Sequence, residues 1–97
     1  MNEYMQWHYA VEFVLGDNGY FVHVVGLPGC MSEGDTFVEA CKMIVEAMGD
    51  WLAVALEDGD PIPEPYPSHG WYPEYDKDGE PMAVVDLQIV RAVALEG

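Results

Sequence analysis

A chain of 97 residues is long enough for one domain, and its 51% hydrophobic content excludes a disordered acidic tail. Eighteen acidic residues against three basic ones give a formal net charge of −15, which excludes direct binding of phosphate backbones by this chain alone. No apolar run approaches the roughly 18 residues of a membrane span, and the first residues lack a signal-peptide pattern, so we expect a cytoplasmic, single-domain protein.

The N-terminal third predicts a β-hairpin. Residues 7–15 alternate between two faces, as in a half-buried strand, and YFVHVV at 20–25 predicts its partner. The intervening GDNG contains Asn18 and Gly19, which favour the positive φ angles of a two-residue turn. That turn places one largely apolar set on a common face: Trp7, Tyr9, Val11, Tyr20, Val22 and Val24.

The stretch GLPGCMSEGDT at 26–36 predicts a third short strand through Cys30 and Met31, followed by a corner. Its glycines and proline indicate a structural turn rather than a functional loop. Thr36 followed by Glu39 forms a capping box and begins a long helix. Residues at three- and four-residue spacing form the buried stripe of that helix: Phe37, Cys41, Ile44, Met48, Trp51, Leu52 and Ala55.

The helix has further features on its other sides. Apolar residues widen the stripe and predict a second packing surface: Val38, Val45, Leu52 and Leu56. Charged residues occupy the far side: Glu39, Lys42, Glu46, Asp50 and Glu57. Gly49 weakens the helix centre and indicates a bend or a close contact there.

Residues 57–81 hold six of the seven prolines and predict an extended crossing segment, with DKDG as a turn. MAVVDLQIV at 82–90 predicts a last strand, with Val85, Leu87 and Ile89 on one side. The order of elements predicts an α+β fold, a three- to four-stranded, mainly antiparallel sheet with one long helix packed on one face.

The sequence gives little support for a catalytic or a metal site. We expect no catalytic residues, no metal ion and no cofactor. His8 and His23 share a sheet face with Glu12, which is an incomplete metal set. Asp35 beside Gly34 is either a relic metal ligand or, more simply, a favourable charge at the helix start. Cys41 lies on the buried stripe, and we expect Cys30 and Cys41 to be reduced thiols.

The succession from VEFVLGDNGYFVHVVGLPGC through GDTFVEA to EDGDPIPEP resembles the N-terminal domain of HicB-like antitoxins. The resemblance covers residues 9–65 and implies a degraded ribonuclease H-like fold and a non-catalytic protein. It further implies a protein partner, because HicB-like proteins bind and mask HicA toxins, which are small, basic and cleave RNA with a histidine. Full-length members commonly add a DNA-binding segment, whereas only RAVALEG follows the predicted last strand. The chain is therefore either a short, stand-alone member or one cut before that segment, and we expect no DNA-binding domain within these residues.

We therefore expect an antitoxin that neutralises a HicA-type toxin through electrostatic complementarity. The expected partner-binding residues are Glu39, Glu46, Asp50, Trp71 and Tyr72, the first three on the acidic helix side and the last two in an aromatic loop. Two alternatives stay open: an orphan HicB-like interaction module without a toxin, and a residual metal-dependent nuclease. The small core and the wide apolar arc also predict a homo-oligomer, in contact through strand edges or the helix flank.

Overall fold

The computed structural model of the protein describes residues 3–65 and 82–96. A short 3₁₀ helix comes first, and four strands and two helices follow it. In chain order they are the 3₁₀ helix Glu3–Gln6, β1 (Ala10–Gly16), β2 (Gly19–Val24), β3 (Met31–Gly34), α1 (Phe37–Asp58), β4 (Met82–Asp86) and α2 (Leu87–Glu96). The predicted α+β class is confirmed.

The strands form one antiparallel sheet in the order β3-β2-β1-β4. Val11 pairs with Val24, and Gly16 pairs with Gly19, so the hairpin has the predicted register and a two-residue loop. The prediction of a positive φ at Asn18 is wrong, because only glycines have a positive φ among the described residues. Gly19 has the expected positive φ, at 139°, and a Cβ there would lie 2.5 Å from the carbonyl oxygen of Gly34, so only glycine fits this position.

Thr36 is the N-cap of helix α1, as predicted, and its Oγ1 accepts the backbone N–H of Glu39 at 3.1 Å. The buried positions of α1 face the sheet: Ala40, Cys41, Ile44, Met48, Leu52 and Ala55. They enclose the core with Tyr9, which precedes β1, with Val11 and Phe13 from β1 and with Val22 and Val24 from β2. Each large apolar side chain buried in this layer contributes about 1.5–3 kcal/mol to the free energy of folding.

Two expectations for α1 need correction. The helix continues through Asp58 and ends at Gly59, whose φ is 73°, so Glu57 and Asp58 are helical rather than part of the crossing segment. Gly49 makes no close contact, because a Cβ there would have no neighbour within 4 Å. Of the crossing segment, residues 59–65 are described and have no regular structure; the DKDG turn lies outside the described residues.

The last strand, predicted over residues 82–90, is shorter in the structure. Strand β4 ends at Asp86, and residues 87–96 form helix α2, which the sequence analysis did not predict. Asp86 is the physical reason, because its Oδ1 accepts the N–H of Gln88 at 2.8 Å and so caps the new helix. Leu87 and Val90 are buried at helical spacing, whereas Ile89, predicted to share a strand face with Leu87, is 56% exposed.

Helix α2 packs against α1. Of the four residues predicted to form a second packing surface on α1, Leu52 is buried and Val45 is partly buried, whereas the other two, Val38 and Leu56, are exposed. Gln88 and Arg91 donate hydrogen bonds to the carbonyl of Met5, and Gln88 also donates to that of Trp7. These bonds attach the N-terminal 3₁₀ helix to α2. Within residues 3–65 and 82–96, no helix has the length and apolar character that crossing a membrane requires.

Candidate partner-binding surface

The acidic side of α1, defined by Glu39, Glu46 and Asp50, faces away from the sheet. All three residues are exposed, as the amphipathic pattern predicted. At a rise of about 1.5 Å per residue, Glu39 and Asp50 lie roughly 16 Å apart along the helix axis. Lys42 is on the same side of the helix and is also exposed. The structure therefore brings the three predicted carboxylates onto one continuous helix surface.

The other two predicted partner-binding residues, Trp71 and Tyr72, lie outside the described residues. Their role stays a prediction.

A cleft of about 600 Å³ lies where the hairpin tip and β3 meet the start of α1. Four acidic residues line it: Asp17, Glu33, Asp35 and Glu39. Asp35 is exposed and directly precedes the cap residue Thr36, at the helix end where negative charge is favourable. This position supports the structural role of Asp35 over that of a metal ligand.

The sheet face opposite α1 carries two separate histidine–carboxylate pairs. His8 Nδ1 lies 2.8 Å from Asp86 Oδ2, and His23 Nε2 lies 2.7 Å from Glu12 Oε1. The histidines thus have one carboxylate each instead of sharing Glu12. No group of three metal-ligating side chains converges anywhere in residues 3–65 and 82–96.

Both cysteines are buried and unpaired thiols. Burial raises the pKa of Cys30 from 9.0 to about 11, and burial also raises the pKa of Cys41. Because the thiolate is the reactive form, a raised pKa makes these side chains poor nucleophiles. They act as small core residues, as predicted for Cys41.

Tyr9 ties the sheet to the segment after α1. Its side chain is fully buried, and its hydroxyl donates a hydrogen bond of 2.5 Å to the carbonyl of Pro63. Burial, with smaller contributions from Tyr4 and Glu64, raises the pKa of Tyr9 from 10.0 to about 12. Residues 59–65 are therefore held against the domain beside the C-terminal half of α1.

Trp51 was predicted to belong to the buried stripe of α1, and its position in the structure is different. It is only half-buried, and its indole Nε1 donates a hydrogen bond of 2.8 Å to the carbonyl of Pro28. The sequence contains no signal for this contact, because the two residues are brought together only when the corner before β3 packs beside α1. The sequence analysis therefore missed a half-buried aromatic side chain that lines the surface beside Asp50.

The chain matches a family model described as the HicB-like antitoxin of bacterial toxin-antitoxin systems, over residues 9–94. It is 38% identical over 61 residues to an uncharacterized 14.9 kDa protein of Haemophilus phage HP1, a match that covers 61% of this chain and 46% of the phage protein. It is also 38% identical over 48 residues to a UPF0150 protein of Synechocystis sp., covering 50% of this chain and 61% of that protein. The chain spans about half the length of these curated relatives.

Proposed function

Because the chain belongs to the HicB-like antitoxins of bacterial toxin-antitoxin systems, we propose that it binds and neutralises a small, basic, RNA-cleaving toxin of the HicA type. The observation that carries the proposal is charge. A net charge of −15 and the exposed acidic side of α1 complement a basic partner, and opposite potentials speed encounter and fix orientation.

In this proposal the chain acts by occlusion. Glu39, Glu46 and Asp50 attract cationic groups of the toxin, and Trp71 and Tyr72 add aromatic contacts that anchor the interface. Covering the toxin surface that receives RNA stops cleavage without any catalytic group in this chain. We further propose that the protein is a cytoplasmic homo-oligomer in contact through its strand edges.

The test combines the purified chain with a purified toxin of the HicA type from the same organism. We expect the chain to bind the toxin and to stop its RNA cleavage at stoichiometric amounts. Absence of both effects would contradict the antitoxin proposal and favour an orphan interaction module.

The acidic side of α1 is tested by charge reversal at Glu46. Glu46→Lys should slow association with the toxin by about two- to fivefold at low salt, because a charge at an interface mainly changes the on-rate. Glu96→Lys is the matched control, since Glu96 is exposed at the end of α2 and the variant has the same net charge. Stopped-flow measurement of equal on-rates for the two variants would remove Glu46 from the interface.

A further inference from the structure

A groove of about 660 Å³ runs along the C-terminal half of α1. Its lining is mainly apolar and comes from the helix, from the corner before β3 and from the segment after the helix: Pro28, Trp51, Val54, Pro61 and Pro63. Val54 is 58% exposed, so the groove opens to solvent. Two carboxylates, Asp50 and Asp60, belong to the same lining.

The groove is already formed in the free chain. The Trp51 indole is held by its hydrogen bond to the Pro28 carbonyl, and the Pro63 carbonyl is held by the Tyr9 hydroxyl. Proline rings have little conformational freedom to lose. A ligand that enters this groove therefore has little ordering entropy to overcome on the protein side.

The charge at this end of α1 opposes the helix dipole. The last turn ends with Glu57 and Asp58 and has no basic residue, and Asp60 follows the cap. Carbonyl groups at a helix C-terminus favour cations, so carboxylates at this end destabilise the helix. These carboxylates therefore do not stabilise the fold electrostatically, but their negative charge attracts a cationic ligand.

From these observations we propose that the groove receives an apolar side chain of the basic protein partner, with flanking lysine or arginine side chains that pair with Asp50 and Asp60. The identity of the partner rests on the proposed function. A second copy of the chain is a poor occupant, because it would bring more carboxylates to Asp50, Asp60 and their neighbours. The acidic side of α1 and the groove then form one continuous docking surface joined at Asp50.

The first experiment needs no toxin. The isotope-labelled chain is titrated with the peptide Arg-Arg-Leu-Arg-Arg and, separately, with Arg-Arg-Ser-Arg-Arg, and the indole N–H of Trp51 and the methyls of Val54 are followed by NMR. We expect the leucine peptide to saturate these signals at a concentration about fivefold lower than the serine peptide needs. A fivefold difference in affinity is smaller than the full burial of one leucine side chain would give. Equal responses to the two peptides, or shifts that do not involve Trp51 and Val54, would overturn the proposal.

The second experiment uses the HicA-type toxin. Val54→Ser should raise the dissociation constant by about tenfold, mainly through faster dissociation, because an apolar contact is lost without a change in charge. Leu95→Ser is the control, since Leu95 is 87% exposed on α2. If wild type binds and inhibits the toxin while the two variants behave alike, the groove proposal fails and the antitoxin proposal stands. If wild type does not bind the toxin but prefers the leucine peptide to the serine peptide, the groove proposal stands and the antitoxin proposal fails.

Two other occupants would also overturn the proposal. A dimer that Val54→Ser dissociates in sedimentation experiments would assign the groove to a second copy. A preference for the leucine peptide that appears only when residues 66–81 are replaced by a glycine-serine linker would assign it to the chain itself.

Discussion

Two glycines, one inside α1 and one at its C-cap, have opposite conformational requirements. Gly49 lies in the helix interior with ordinary helical geometry and open space around it, whereas Gly59 closes the helix with a φ of 73°. The first position gains nothing from being glycine. The second uses the left-handed conformation that other residues adopt only at a cost.

Gly49→Ala should therefore raise the free energy of unfolding by about 0.5–1 kcal/mol, through lower backbone entropy of the unfolded chain and better helix propensity. Gly59→Ala is the matched control and should lower it by about 1–2 kcal/mol, because alanine is strained at this φ. Urea denaturation of the two variants measures both changes. A destabilised Gly49→Ala would show that the glycine has a role that the helix geometry does not reveal.

Tyr9 makes stability depend on pH in the alkaline range. Its folded-state pKa of about 12 lies above the ordinary value of 10.0, so its stabilising contribution is complete below pH 10 and is lost as the pH rises toward 12. Cys30, with a pKa raised from 9.0 to about 11, contributes a loss of the same sign that begins near pH 9.

We expect Tyr9→Phe to be less stable than wild type at neutral pH by about 0.5–1.5 kcal/mol, since the hydrogen bond to the Pro63 carbonyl is lost. The difference should shrink above pH 10, where wild type loses the contribution that the variant lacks. Denaturant midpoints from pH 8 to 11.5 measure this, with Tyr20→Phe as the control. A constant difference across the range would argue against the raised pKa of Tyr9.

At the scale of elements, the change from β4 to α2 depends on one side chain. Asp86 caps α2 through the Gln88 N–H and also contacts His8 across the sheet edge. The contact with His8 is exposed and contributes little, so the cap is the interaction that matters for stability.

Asp86→Ala should cost about 1 kcal/mol and reduce helicity, because the first turn of α2 loses its side-chain acceptor. Asp86→Asn keeps a good cap and should lie within about 0.5 kcal/mol of wild type, since asparagine caps helices as well as aspartate does. Circular dichroism and thermal unfolding compare the two. Equal destabilisation by both substitutions would assign the effect to the lost charge instead of the cap.

The elements that sequence patterns predicted well are those with local signals. The hairpin has a two-residue turn between matched apolar strands, and α1 has its Thr36 cap and a long three- and four-residue repeat. Residues 82–90 satisfy strand alternation and helical spacing at once, so the pattern alone could not locate the boundary at Asp86. The carboxylates of the α1 surface were predictable from amphipathicity, whereas the Trp51–Pro28 contact that shapes the groove depends on tertiary packing.

For the whole molecule, a net charge of −15 acts on every encounter. It favours basic partners and opposes contact between copies of the chain. Screening changes this balance, because the Debye length falls from about 30 Å at 0.01 M salt to about 8 Å at 0.15 M. The proposed homo-oligomer should therefore depend on ionic strength in the opposite sense to toxin binding.

Among residues 3–65 and 82–96, β3 and β4 are the edge strands of the sheet, and Met31 on β3 is 64% exposed. We expect sedimentation velocity at micromolar concentration to show a monomer at 0.01 M salt and self-association at 0.15 M, where screening permits edge-to-edge pairing. Met31→Lys should keep the chain monomeric in both buffers, because a lysine on an edge strand disfavours pairing with another edge. Ile89→Lys makes the same charge change at a residue 56% exposed on α2 and should associate like wild type. A monomer at 0.15 M for wild type would contradict the homo-oligomer, and equal association of the two lysine variants would move the contact away from β3.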